Sequence, residues 1–234
     1  MTEPSPENPQ LENRRPIKSR ASGWAQASAR GLAKAGASPN MISGASVAFA
    51  ALGGALMALA GMSGHILHGV ALVAAAACIQ ARLICNLLDG MVAVEFKRGS
   101  ASGPIWNELP DRVSDAFFLA GAGACAYGSA FPLTGLSLGW TAAVLAVTTA
   151  YVRELGRGLG LQADFSGPMA KPQRMAALTA TCVIAAFEPF WGGHGEIMLA
   201  GLAVIVAGTA LTVARRTRSL ARGLAERGRS PSGT

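Results

Sequence analysis

Six long apolar runs divide the chain and constrain its fold more than any other feature. They cover residues 41–62, 66–94, 104–127, 136–152, 173–187 and 197–214. A helix needs roughly 20 apolar residues to cross the hydrocarbon core of a bilayer. Hydrophobic residues make up 51% of the chain and charged residues only 14%, whereas a soluble domain normally carries about 25% charged residues. The sequence therefore predicts an all-α, polytopic membrane protein with six transmembrane helices.

The basic residues predict which ends of these helices face the cytoplasm. Lys and Arg precede the first run, separate the second from the third and the fourth from the fifth, and follow the sixth. The other three connections contain no Lys or Arg. Because cytoplasmic loops carry the excess of basic residues, six spans with both termini inside place every basic group on one side. The net charge is +7, and the collection of these charges at the ends of apolar runs is the pattern of a multi-pass membrane protein rather than of a nucleic-acid binder. We expect a bacterial inner membrane as its location.

The polar ends predict three further segments. Residues 1–18 are rich in Pro, Glu and Asn and are expected to form a disordered arm. Residues 19–36 predict an amphipathic interfacial helix with Trp24 at headgroup level, the alternative being a solvated, weakly helical arm. Residues 37–218 form the membrane domain, in which Ser38 caps the first span and Pro39 begins it. Residues 219–234 are predicted to form a basic cytoplasmic tail that ends in disordered sequence.

Two of the apolar runs carry polar side chains that a membrane segment rarely contains. They recur every three or four residues: Arg82, Asn86 and Asp89 in the second run, and Asn107, Asp111 and Asp115 in the third. Each set therefore lies on one helix face. Antiparallel neighbouring spans would bring the two faces together at the cytoplasmic side. An oxygen-rich site of this kind suits Mg²⁺, Mn²⁺ or Ca²⁺, and ionisable groups at this depth are a functional-site hypothesis by default.

The same stretch carries a resemblance to a known family. Asp89, Gly90, Ala93 and Gly103, followed by spaced acidic residues, resemble the CDP-alcohol phosphatidyltransferase signature D-x2-D-G-x2-A-R-x8-G-x3-D-x3-D. The Ser-Pro-Asn start of the first span, the six-span topology and the amphipathic N-terminal arm are also similar to that family. The resemblance therefore covers roughly residues 19–218.

The sequence departs from the signature at several positions. Asn86 stands where the family has its first Asp, and Val94 stands where it has Arg. Counting on from Gly103, the third and fourth Asp positions fall on Asn107 and Asp111. A register with four extra residues after the glycine would place them on Asp111 and Asp115 instead. The first register is preferred because it needs no insertion.

The resemblance implies an enzyme of phospholipid biosynthesis. It implies transfer of a substituted phosphate from a CDP-alcohol lipid, such as CDP-diacylglycerol, to a small polar or phosphorylated alcohol, with release of CMP. One or two Mg²⁺ or Mn²⁺ ions would be held by five residues: Asn86, Asp89, Asn107, Asp111 and Asp115. Asp111 would be the general base, with Asp115 as the alternative. Gly90, Ala93 and Gly103 would leave room for the donor.

A second set of basic residues flanks the later spans. Arg153 ends the fourth run, and Lys171 and Arg174 precede or open the fifth. These residues are predicted to bind a phosphate of the donor or acceptor, the alternative being ordinary cytoplasmic flanks that touch lipid headgroups. Arg82 is expected to pair with a carboxylate, or else with a lipid phosphate.

Three other interpretations of the polar residues stay open. They are an ion or metal transporter, a family member that has lost catalysis, and a polar network that only packs helices. A transporter is less consistent with the sequence, because the acidic residues cluster near the cytoplasmic side and no internal repeat is visible. Gly53, Gly54 and Gly61 suit close contacts between helices, and glycine-bearing faces allow a homodimer.

Overall fold

The computed structural model describes residues 22–96 and 101–229, and all regular structure in these ranges is helical. Seven α-helices follow one another: α1 (Gly23–Lys34), α2 (Pro39–Ala60), α3 (His65–Glu95), α4 (Gly103–Cys125), α5 (Pro132–Gly158), α6 (Lys171–Ala185) and α7 (Glu196–Arg229). Two short 3₁₀ helices, Ala126–Gly128 and Glu188–Trp191, lie in the connections after α4 and α6. The predicted arm over residues 1–18 lies outside the described residues.

Helices α2 to α7 form a closed ring. Helix α2 packs against α3 and α4, α5 packs against α4 and α7, and α6 closes the ring between α7 and α3. Helices α3 and α4 thus both pack on α2, and they reach each other through long polar side chains. The arrangement places the two predicted polar faces opposite one another.

Glycines allow α2 and α4 to approach closely. A Cβ on Gly53 would lie 2.9 Å from the Cβ of Cys78 and 2.5 Å from a ring carbon of Phe118. A Cβ on Gly121 of α4 would lie 2.5 Å from the Cα of Gly54. The close contacts predicted for the glycines of the first span are therefore present. They hold α2 against α3 and α4, the two helices that carry the polar faces.

Within residues 22–96 and 101–229, four helices are long and apolar enough to cross a membrane: Pro39–Ala60, His65–Glu95, Pro132–Gly158 and Glu196–Arg229. Helix α4 carries several charged residues, and α6 has only 15 residues. Four such helices are the architecture of a multi-pass integral membrane protein. The count of six spans stays a prediction.

The start of α2 agrees with its predicted cap. Helix α2 begins at Pro39, and the hydroxyl oxygen of Ser38 accepts a hydrogen bond from the N–H of Met41 at 3.2 Å. Helix α1 buries Ala25, Ala29 and Ala33 and leaves Trp24 half exposed. A helix therefore occupies the predicted amphipathic segment, and its position at a membrane surface stays a prediction.

The last helix is longer than the sequence suggested. Helix α7 continues to Arg229, so most of the tail predicted after residue 218 is helical. The guanidinium of Arg227 donates hydrogen bonds to the carbonyl oxygens of Leu159, at 2.8 Å, and Gly160. This contact fastens the end of α7 to the end of α5, which a local sequence pattern does not reveal.

Candidate active site

Asp115 is held between two buried arginines from different helices. Its Oδ1 accepts from Arg82 Nη2 of α3 at 3.1 Å, and its Oδ2 accepts from Arg174 Nη2 of α6 at 2.6 Å. All three residues are at most 1% exposed. Removing charges from water is costly unless they are paired and hydrogen-bonded. The contact therefore ties α3, α4 and α6 together at one place.

Asp111 lies one turn before Asp115 and is more accessible. Its Oδ1 accepts from Arg82 Nη2 at 3.1 Å and from Asn86 Nδ2 at 2.5 Å. Its Oδ2 accepts from the ammonium group of Lys171. The side chain of Asp111 is 17% exposed, compared with 2% for Asp115. Asp111 is thus the carboxylate of the pair that a ligand can reach.

Asp89 completes the acidic cluster, which we define as Asp89, Asp111 and Asp115. Ser43 of α2 donates a hydrogen bond to Asp89 Oδ2 at 2.7 Å. The hydroxyl of Ser43 also lies 3.1 Å from the carbonyl oxygen of Pro39, at the start of the same helix. Sequence reasoning missed Ser43, and its position in the first turns of α2 was the only signal.

The basic triad, defined as Arg82, Lys171 and Arg174, surrounds the acidic cluster. Lys171 is the first residue of α6, and Arg174 lies one turn further along. Three guanidinium nitrogens of the triad, Nε and Nη1 of Arg82 and Nε of Arg174, are buried without a hydrogen-bond partner among the described residues. The expectation that Arg82 pairs with carboxylates is confirmed.

The connection before α6 is anchored on α7. Arg216 Nε donates to the carbonyl oxygen of Ser166 at 2.9 Å, and its Nη1 donates to that of Thr149 at 3.0 Å. The N–H of Met169 donates to Thr212 Oγ1 at 3.0 Å. These bonds fix the chain just before α6, so that Lys171 and Arg174 enter the site from a defined position.

Arg153 belongs to a neighbouring group of charges. Its Nη2 donates to Glu108 Oε2 at 2.6 Å, and its Nε donates to Glu154 Oε1 at 2.9 Å. The guanidinium carbon lies 5.3 Å from the ring centroid of Phe165, which is cation–π distance. Arg112 joins this group to the acidic cluster, because its Nη2 lies 3.1 Å from Glu108 Oε2 and 3.7 Å from Asp111 Oδ2.

The remaining predicted site residues differ in their exposure. Asn107 is exposed, whereas Gly90, Ala93 and Gly103 are partly buried. Among the residues that the structure describes, no group of three or more His, Cys, Asp or Glu side chains is arranged to hold a metal ion. A metal here would need amide oxygens in addition to carboxylates, as the asparagines at signature positions imply.

No family model matches the chain, and no curated protein matches it in sequence. Solved structures do match it. Phosphatidylinositol phosphate synthase from Mycobacterium tuberculosis with CDP-DAG bound gives a TM-score of 0.71 at 18% identity, over 85% of this chain and 94% of that chain. The same enzyme in complex with manganese and citrate gives 0.70 at 19% identity, over 84% and 88%. Its apo form gives 0.61 at 20% identity, over 82% and 93%.

These neighbours define the class of fold. They are CDP-alcohol phosphatidyltransferases, the family whose signature the sequence resembles. The chain has the fold of these enzymes over most of its length. Phosphatidylinositol phosphate synthase is one protein that it matches in fold.

Proposed function

We propose that the protein is a membrane-embedded CDP-alcohol phosphatidyltransferase. It would transfer a phosphatidyl or other substituted phosphate group from a CDP-alcohol lipid to an acceptor alcohol and release CMP. The observation that carries this proposal is the pairing of Asn86 with Asp111 across two facing helices, in the fold of an enzyme whose solved structures contain CDP-DAG or manganese.

That pairing also supports one register of the signature. Asn86 stands at the first Asp position, and on an antiparallel partner helix it lies opposite Asp111. Arg82, one turn earlier, reaches Asp115, one turn later. A register that makes Asp111 the fourth signature position agrees with this alignment, whereas one that assigns that place to Asp115 would set it opposite Arg82.

A divalent metal, Mg²⁺ or Mn²⁺, is part of the proposal. Carboxylate and amide oxygens are the donors these ions prefer, and Asp89, Asn86 and Asp111 supply them on facing helices. When bound, such an ion neutralises the diphosphate and the charge that develops on the leaving CMP. On α4, Asn107 lies one turn before Asp111 and Asp115 lies one turn after it. These two residues complete the proposed metal-binding set.

In the proposed reaction, one side chain of the site accepts a proton, and the bonds change in the acceptor and the donor. Asp111 accepts the hydroxyl proton of the acceptor alcohol, whose oxygen then attacks the β-phosphorus of the donor. The new oxygen–phosphorus bond replaces the bond to CMP, which leaves. Both carboxylates are ion-paired, but Asp115 is a poorer base because its side chain is only 2% exposed, whereas that of Asp111 is 17% exposed and can be reached by the acceptor.

The basic residues are proposed to bind phosphate oxygens. Buried guanidinium groups with unpartnered N–H donors, as in Arg82 and Arg174, are suited to charge-assisted hydrogen bonds with phosphate. Lys171 is partly exposed beside Asp111, and Arg153 lies at the neighbouring group of charges. The acceptor is a small polar or phosphorylated alcohol, and a homodimer in a bacterial inner membrane with both termini cytoplasmic is the proposed setting.

The proposal is tested by CMP release. Purified protein with Mg²⁺ or Mn²⁺ and labelled CDP-diacylglycerol is supplied in turn with glycerol 3-phosphate, inositol phosphate, serine and choline. We expect CMP release with one class of acceptor. Asp111→Asn should lower the turnover rate at least about a hundredfold, the usual size of a general-base contribution, with donor binding nearly unchanged.

Asp115→Asn serves as the matched variant on the same helix face. It should lower thermal stability, and the fraction that stays folded should retain turnover. The opposite result, full loss of turnover in a stable Asp115→Asn protein, would show that the register is wrong. Donor binding without CMP release across all acceptors would favour a catalytically inactive family member, which the ion pairs on Asp111 already make the second candidate.

A further inference from the structure

The site carries its own counterions. The acidic cluster contributes three carboxylates and the basic triad contributes three cations, and four side-chain ion pairs join the triad to Asp111 and Asp115. Arg82, Arg174 and Asp115 are almost fully buried. The positive charge at this place is therefore already supplied by the chain itself.

Both oxygens of two carboxylates are in use. Arg82 and Arg174 hold the oxygens of Asp115. On Asp111, Oδ1 accepts from Arg82 and Asn86, and Oδ2 accepts from Lys171. The amide of Asn86 turns its nitrogen, not its oxygen, toward this carboxylate. A metal at Asp111 must therefore displace a cation or an amide.

Two positions of the signature have lost their negative charge. Asn86 and Asn107 stand where the resemblance implies Asp. An asparagine oxygen can coordinate a hard cation, but it offers no net charge. Two divalent ions would add four positive charges to a cluster whose charges are balanced, in surroundings where an uncompensated buried charge is strongly unfavourable.

We infer that the site binds one divalent ion rather than a pair, and that Arg82 and Lys171 supply the positive charge of the second. This inference rests on the proposed function, because it concerns the metal of that same site. Asp89 is the natural anchor for the single ion, since its hydrogen bond comes from the neutral hydroxyl of Ser43. Asn86, one turn away on the same helix, would offer its amide oxygen as a second, neutral ligand.

The number of bound ions is measured with Mn²⁺ by electron paramagnetic resonance on the full-length protein in detergent, with and without CDP-diacylglycerol. We expect one Mn²⁺ per chain and the spectrum of an isolated ion. Two ions per chain with the exchange-coupled spectrum of a pair would overturn the inference. The absence of any bound Mn²⁺ would overturn it as well.

Restoring the missing charges provides the matched variant. In the double variant Asn86→Asp/Asn107→Asp, the two added carboxylates should raise the number of bound Mn²⁺ ions to two per chain. The spectrum should then be that of an exchange-coupled pair. A folded double variant that still binds one ion would contradict the assignment of the count to these residues. If the double variant does not fold, the number of Mn²⁺ ions bound per chain of the unmodified protein is the deciding test of the inference.

Lys171→Met tests the role of Lys171 as a retained counterion of Asp111. Removal of a cation that contacts Asp111 should tighten Mn²⁺ binding about tenfold, the order expected for one nearby charge in a partly screened site. Arg157→Met, which removes a more exposed cation paired with Glu154, should leave the affinity unchanged. Equal effects of the two changes, or none from Lys171→Met, would exclude a direct role for Lys171.

The metal count and the catalytic proposal fail separately. One bound Mn²⁺ without CMP release would leave the inference intact and remove the proposed activity. CMP release with two bound ions would retain the activity and remove the inference.

Discussion

Arg82 Nη2 contacts Asp111 Oδ1 and Asp115 Oδ1 at the same distance, 3.1 Å. One guanidinium nitrogen thus bridges two carboxylates on successive turns of α4. Arg82 lies on α3 and is fully buried. Helices α3 and α4 both pack on α2. The bridge adds a direct polar link between these two helices, which carry the signature residues.

Arg82→Met is expected to destabilise the protein strongly. It leaves Asp115 with one of its two cations and removes one cation from Asp111. Breaking a buried pair by removing one partner costs about 3–5 kcal/mol. Unfolding of the detergent-solubilised protein, followed by circular dichroism, measures this change.

The control for Arg82 is Arg112→Met. Arg112 pairs with Glu108 on the same helix, and both side chains are partly exposed. Such pairs contribute about 0–1 kcal/mol. If both variants lost the same free energy of unfolding, the buried bridge would contribute no more to stability than the partly exposed pair.

Ser43→Ala is expected to weaken metal binding. The Ser43 hydroxyl donates to Asp89 Oδ2 at 2.7 Å, and loss of a hydrogen bond that orients a metal ligand typically lowers affinity about 10–100-fold. Titration with Mn²⁺ measures the affinity. Ser46→Ala is the control, because its hydroxyl donates to the backbone carbonyl of Ser43 instead, and equal affinities in the two variants would contradict the role of Ser43.

Glu188→Gln is expected to change how stability depends on pH. The side chain of Glu188 is buried, and its Oε1 accepts from the N–H of Ile197 at 3.0 Å. Burial raises the pKa of Glu188; the Ile197 hydrogen bond opposes this shift and the neighbouring Glu196 adds to it. A raised folded-state pKa favours the protonated form, so stability is greatest at low pH and decreases as pH rises through that pKa.

Glutamine removes this dependence because it stays neutral. The melting temperature of Glu188→Gln should equal that of the unmodified protein near pH 4 and exceed it at pH 8. Glu95→Gln, at an exposed position on the end of α3, should show no such difference. If Glu188→Gln had a lower melting temperature than the unmodified protein at pH 8, the surroundings of Glu188 would stabilise its carboxylate form, contrary to this prediction.

The local features of the fold were predictable from the sequence. Ser38 and Pro39 have the residue types of a helix start, and the three- and four-residue spacing of Asn86, Asp89 and Asp111 with their neighbours places them on helix faces. The pairing of Arg82 with carboxylates followed from the high cost of an unpaired charge at that depth.

Contacts between distant segments were not predictable in the same way. Ser43 and Asp89 are 46 residues apart, and the first carries no motif. Lys171 and Arg174 were interpreted as phosphate ligands, and their ion pairs with the acidic cluster depend on the anchoring of the preceding loop by Arg216. Likewise, Arg227 near the end of α7 contacts Leu159 at the end of α5, 68 residues away.

The internal charge balance of the site bears on how the protein is made. A helical bundle whose carboxylates must wait for metal ions would enter the membrane with repelling charges at its centre. Here Arg82, Lys171 and Arg174 neutralise Asp111 and Asp115 from within the same chain. Insertion and assembly therefore need no metal ion to balance these carboxylates, and the ion of the proposed function would enter a site that is already folded.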